Sequence, residues 1–130
     1  MIGEGAATVL VADDEMRLLR LMERVLASHG HAVLTARDGN EALRRFGAHR
    51  GEIEVAVLDA SIVPGGAGGV VEALLAERPD LGIVVTSGGL REDDSPALHR
   101  PGVIWLPKPF SADALARAVA EARPARRGTP

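Results

Sequence analysis

Thr8-Val9-Leu10-Val11-Ala12-Asp13-Asp14-Glu15 is the stretch that decides the fold. Its first five residues are almost wholly apolar and do not alternate, which reads as a strand, Thr8–Ala12, buried on both faces. Acidic residues stand at its carboxyl end. The same rhythm recurs outward. Leu18, Leu19, Met22, Val25 and Leu26 fall at helical spacing within 15–29, and Gly30 stops that helix. Residues 31–35 read as a second strand. Asp38-Gly39-Asn40 is a turn or cap before a helix over 41–49. Residues 54–58 read as a third strand ending at Asp59, 61–69 as a loop with Pro64 and four glycines, and 70–78 as a third helix closed before Pro79. Strands at 82–86 and 102–106 follow. Between them, 87–101 carries Gly88-Gly89, Glu92-Asp93-Asp94 and Ser95-Pro96, so any helix there is short or irregular. Ser111 is a plausible N-cap for a last helix running to Ala122, with Asp113 in its first turn. Strict alternation of apolar strands and amphipathic helices predicts an α/β chain: a (βα)5, doubly wound, parallel five-stranded sheet covered on both faces.

The 130 residues suffice for one domain, placed at 8–122 between tails at 1–7 and 123–130. Hydrophobic residues make up 46% and charged residues 25%, which argues against a disordered chain. A net charge of −3 argues against a broad nucleic-acid-binding surface. The absence of cysteine excludes disulfides and thiolate chemistry. No apolar run reaches the roughly 18 residues of a membrane span, and no signal-peptide pattern opens the chain. A soluble, cytoplasmic domain without membrane contact is expected. The only aromatics are Phe46, Trp105 and Phe110, so Val, Leu, Ile and Ala must build the core. Of the 15 basic residues, only Lys108 is lysine; the rest are arginine.

In a sheet of this kind, functional groups gather beyond the carboxyl ends of the strands. Those ends carry Asp13, Asp14 and Glu15 after the first strand, Asp59 after the third, Thr86 and Ser87 after the fourth, and Lys108-Pro109 after the fifth. Singly, each has an ordinary reading: a helix cap, a turn aspartate, a backbone cap, a surface lysine. Their joint placement at successive strand ends is not a chance pattern. Carboxylates a few ångströms apart resist ionisation unless a cation joins them. A hard divalent ion such as Mg²⁺ suits such oxygens and keeps water and phosphate oxygens among its ligands. A carboxylate beside that ion can attack a phosphoryl group and form an aspartyl phosphate. A hydroxyl and an ammonium are the further groups that stabilise the phosphoryl oxygens.

The chain resembles the receiver domain of two-component response regulators. The pieces are Val9-Leu10-Val11-Ala12-Asp13-Asp14-Glu15, Asp38-Gly39-Asn40-Glu41-Ala42-Leu43, Val57-Leu58-Asp59, Val85-Thr86-Ser87-Gly88 and Leu106-Pro107-Lys108-Pro109-Phe110, spanning nearly the whole chain. The resemblance implies a flavodoxin-like strand order 2-1-3-4-5. It implies Asp59 as phosphoacceptor, with phosphoryl transfer from a phosphohistidine of a histidine kinase or phosphotransfer protein. Asp14 would bind Mg²⁺ directly, Asp13 mostly through a water, and Ser61 by its backbone carbonyl. Ser87, preferred over Thr86 because Gly88 follows, would contact the phosphoryl group together with Lys108. A cis bond to Pro109 is family-like. Trp105 falls where the family has a switch aromatic, an ordinary core tryptophan being the alternative.

The chain also departs from the pattern. Pro64 lies five residues after Asp59 rather than four, a one-residue insertion that puts the loop's metal geometry in question. The acidic, Pro-broken segment at 87–101 makes a standard dimer doubtful, so a monomer or weak dimer is expected. That segment, and Gly3-Glu4-Gly5 ahead of the first strand, look like the receiver of a hybrid sensor kinase. Two other classes compete. A haloacid dehalogenase-like phosphatase needs a second carboxylate where this chain has Ser61, and room for a cap domain. A phosphorylation-independent pseudo-receiver would leave key positions unfilled, whereas here all are filled.

Overall fold

Five parallel strands, β1 (Thr8–Ala12), β2 (Ala32–Ala36), β3 (Ile53–Asp59), β4 (Gly82–Ser87) and β5 (Ile104–Pro107), form one sheet in the order β2-β1-β3-β4-β5. The computed structural model describes residues 6–88 and 95–124. The unalternating strands are the interior ones: Val9, Leu10, Val11, Val55, Ala56, Val57 and Leu58 are all fully buried. β2, at one edge, is mostly half-buried. Alternate side chains feed two layers. Leu10, Leu58, Ile83 and Val85 pack toward α2 (Gly39–His49) and α3 (Ala67–Glu77). Val9, Val57, Val84 and Leu106 pack toward α1 (Met16–Ser28) and α4 (Ala112–Ala122). From β1 the chain moves outward to β2, then returns to β3 on the other side. That reversal opens a crevice at the carboxyl ends of β1 and β3.

The caps follow the residues that favour them. Asp38 accepts the backbone N–H of Glu41 at 2.7 Å and starts α2, which takes in Gly39 and Asn40. Ser111 accepts the Ala114 N–H at 3.0 Å and starts α4. α3 begins three residues earlier than its glycines suggest. The Gly66 N–H donates to Ile62 O and the Ala67 N–H to Ala60 O, with Gly66 at φ +89°. Ala67 and Gly68 are then buried, so close packing overrides the poor helix propensity of Gly68-Gly69. β5 starts at Ile104, two residues later than expected, because Gly102 turns the chain at φ +95°.

Between β4 and β5 no full helix is seen among the described residues. A 3₁₀ segment, Pro96–His99, stands there instead, capped by Ser95, with Ala97 and Leu98 buried. Residues 89–94, with their acidic run, and Gly3-Glu4-Gly5 lie outside the described residues. No described helix is long and apolar enough to cross a membrane.

The ends of the described chain are tied together at the amino edge of the sheet. Arg123 donates to Ala6 O at 2.9 Å and to Glu54 at 3.1 Å, and the Ala7 N–H donates to His31 Nδ1 at 2.9 Å. Burial, then the charges of Arg123 and His29, push the His31 pKa below its ordinary 6.5, with Glu54 opposing. The unfolded chain therefore binds that proton first. The contribution of neutral His31 is complete above pH 6.5 and is lost as pH falls below it. Urea unfolding at pH 7.5 and pH 5 is expected to show a larger acid loss of stability for the wild type than for His31→Asn. Equal losses would remove His31 from this role.

Candidate functional site

Asp13, Asp14, Asp59 and Lys108 meet in the crevice. Asp13 follows β1, and its backbone N–H is held by Ala36 O at 3.1 Å. Its side chain is wholly buried and accepts the Glu15 N–H at 2.8 Å. Asp59 is the last residue of β3 and is 3% exposed. Lys108 follows β5, where its N–H donates to Ser87 O at 2.6 Å and its bond to Pro109 is cis. From there the Lys108 ammonium reaches back across β4 to Asp59 Oδ1 at 3.0 Å and Asp13 Oδ2 at 3.2 Å. Asp14 is exposed at the rim, and one oxygen from each of Asp13, Asp14 and Asp59 lies within 4.8 Å of the others. Ser61 Oγ donates to Asp59 Oδ2 at 2.9 Å, so both oxygens of Asp59 are engaged.

The electrostatics follow from this crowding. Burial pushes the Asp13 pKa above its ordinary 3.8. The Glu15 N–H pulls the other way, the Asp59 charge adds to the rise, and Lys108 offsets part of it. For Lys108, burial opposes the charged form. The hydrogen bond to Asp59 and the charges of Asp13 and Asp59 outweigh it, and the net pKa is raised above 10.5. The pocket is an anionic cradle with one fixed cation, short of positive charge by at least one unit. An oxygen-rich donor set of that kind fits a hard divalent cation such as Mg²⁺.

Ser87 ends β4, on the sheet face shared by Val85 and Trp105 by strand alternation. Trp105 is 38% exposed and is not a core residue. Its Nε1–H donates to Leu98 O at 2.9 Å, and its ring stacks on His99 with centroids 5.4 Å apart. It therefore ties edge strand β5 to the 3₁₀ segment. The longer loop after Asp59 is closed by Gly39 N–H donating to Val63 O at 2.7 Å, and the Val63–Pro64 bond is also cis. Two features escaped the sequence reading. One is the Ser61 hydroxyl on Asp59. The other is Thr86, set aside in favour of Ser87, which is fully buried beside Asp59. Strand alternation carries the signal for Thr86; nothing in the sequence carries the rotamer of Ser61.

The model of the response regulator receiver domain family matches residues 9–120. Among curated proteins, the transcriptional regulatory protein PrrA of Mycobacterium tuberculosis is 36% identical over 129 residues, covering 98% of this chain and 54% of that protein. The sensor kinase CckA of Brucella abortus is 32% identical over 120 residues, covering 90% of this chain and 12% of the kinase. The chain thus spans about half of PrrA and a small part of CckA. A response regulator receiver domain protein from Clostridium thermocellum superposes with a TM-score of 0.82 at 26% identity, covering 89% of this chain and 93% of the other. A response regulator receiver protein from Sinorhizobium medicae gives 0.80 at 29% identity, covering 90% and 94%.

Proposed function

The chain belongs to the response regulator receiver domain family of two-component signalling, and from that premise we propose that it is a phosphoryl switch centred on Asp59. The observation that carries this reading is Lys108 bridging Asp59 and Asp13 beside a third carboxylate, Asp14. Asp14, Asp59 and the Ser61 carbonyl would hold Mg²⁺ directly, and Asp13 through a water. When bound, the ion neutralises charge on the phosphoryl oxygens and draws them toward the crevice. An Asp59 oxygen attacks phosphorus, the P–N bond to the donor histidine breaks, and the bond's electron pair leaves with the imidazole. For that attack Asp59 must exchange its contact with Ser61 or Lys108 for phosphorus. Lys108 then donates to a phosphoryl oxygen, and Ser87 supplies a hydroxyl. The same residues accept small phosphodonors; water attacking the phosphorus of the aspartyl phosphate breaks its bond to Asp59, returns the electron pair to the carboxylate and releases inorganic phosphate.

An apolar groove opens beside the site between Leu18, Leu21, Pro109 and Phe110, with Arg17 and Glu15 at its rim. It suits the docking of a donor histidine kinase or phosphotransfer protein. The short 3₁₀ segment and the likeness to CckA support the chain as the receiver of a hybrid sensor kinase, acting in the cytoplasm as a monomer or weak dimer. A phosphatase of the dehalogenase type is disfavoured because Ser61 stands where a second carboxylate would act as acid and base.

Trp105 is the reporter for the test. Acetyl phosphate or beryllofluoride with Mg²⁺ is expected to change its fluorescence in the wild type. Asp59→Asn, or omission of Mg²⁺, should abolish the change. A wild type that gives no Asp59-dependent response overturns the proposal, and one that also fails to bind Mg²⁺ in titration is a pseudo-receiver.

A further inference from the structure

Lys108 reaches the crevice from the far side of β4, because β4 lies between β5 and β3 in the sheet. The β4 residue opposite Asp59 in register is Thr86. Parallel partners in register present their side chains to the same face, and Val57 and Val84, two residues before Asp59 and Thr86, share one core layer. Thr86 therefore stands beside Asp59, on the strand that the Lys108 side chain crosses to reach it. It is wholly buried, and its Oγ1 has no hydrogen-bond partner among the described residues. Buried hydroxyls without a partner are rare, because each carries its full desolvation cost. The Lys108 ammonium has three N–H donors, and its hydrogen bonds to Asp13 and Asp59 use two of them. A third ammonium donor and an unpartnered hydroxyl thus both lie next to Asp59.

We propose that Thr86 is a positioning residue for Lys108: its hydroxyl receives the third ammonium N–H through one shared buried water and aims the ammonium while Asp59 Oδ1 exchanges it for phosphorus. A water bridging two such groups is a standard partner for buried polar atoms. The inference rests on the role proposed for Asp59 only in its last clause. The bridge itself belongs to the free protein.

The test uses the composition of the chain. Lys108 is the only lysine, so labelling lysine Nζ with ¹⁵N gives a single side-chain ammonium signal. Thr86→Val keeps the shape and removes the hydroxyl; Thr86→Ser keeps the hydroxyl and removes the methyl. In the free protein, Thr86→Val is expected to shift that signal and speed its exchange with water at least threefold, whereas Thr86→Ser leaves it near the wild type. Phosphorylation by acetyl phosphate should slow at least threefold in Thr86→Val and hold in Thr86→Ser. An unmoved ammonium signal in Thr86→Val overturns the proposal. So does equal impairment of both variants, or impairment of Thr86→Ser alone, since either reports packing. A wild type that is not phosphorylated refutes the role of Asp59 instead, and the ammonium signal still decides the bridge.

Discussion

Lys108→Arg is expected to preserve the fold while lowering phosphorylation of Asp59 about 100-fold, the usual loss when one donor to a developing oxyanion is misplaced. The ammonium sits 3.0 Å from Asp59 and 3.2 Å from Asp13 at the end of a stem that crosses β4. A compact ammonium can rotate its donors from a carboxylate to a phosphoryl oxygen within that space. A planar guanidinium fixes its donors in a fork and needs more room. Fourteen of the 15 basic residues are arginine, so the exception at this position is not a matter of general cation preference. Lys108→Ala should add instability, about 3 kcal/mol, by leaving two buried carboxylates without their cation. The sign of the pH dependence follows from the raised pKa. The stabilisation by Lys108 is complete below pH 10.5 and is lost as pH climbs through the raised value. Rates with acetyl phosphate and thermal melts of both variants check this. A Lys108→Arg variant phosphorylated at the wild-type rate would sink the assigned role.

Gly82→Ala is expected to be strongly destabilising. A Cβ built on Gly82 lands on the carbonyl oxygen of Ala122, with the carbonyl carbon 2.7 Å away. Both obstacles are backbone, at the start of an interior strand and at the end of α4, so no side chain can rotate aside. The cost should reach about 3 kcal/mol, the upper range of overpacking, which lowers the melting temperature by about 10 °C. Gly47→Ala is the control, because a Cβ there meets nothing within 4 Å and sits in the interior of α2. A Gly82→Ala protein melting within about 3 °C of the wild type would show that α4 can lift from β4 at little cost.

The site was legible because its residues are strand-end residues. In a doubly wound sheet, the carboxyl ends of neighbouring strands share one edge. Asp13, Asp59 and Lys108 were thus brought together by their positions in the alternation alone. The 3₁₀ segment was legible only as a weakness, since Gly88-Gly89 and Ser95-Pro96 break a helix without saying what replaces it. The start of α3 was misplaced because glycine reads as loop wherever packing is unknown. Trp105 could not be assigned, because a tryptophan in an edge strand can face the core or the rim.

By itself the sequence determined the strand and helix rhythm, the doubly wound architecture and the edge where the chemistry gathers. Those are local matters of periodicity, caps and breakers, with chirality limiting how such units connect. Only the tertiary structure decided that the Lys108 ammonium is shared between two buried carboxylates and that Ser61 occupies the second oxygen of Asp59. It also decided that Trp105 lies on the surface against His99 and that Thr86 is sealed beside the site. Such contacts join residues far apart in the chain, as Asp13 and Lys108 are. Their geometry depends on how the layers pack, which the order of residues does not state.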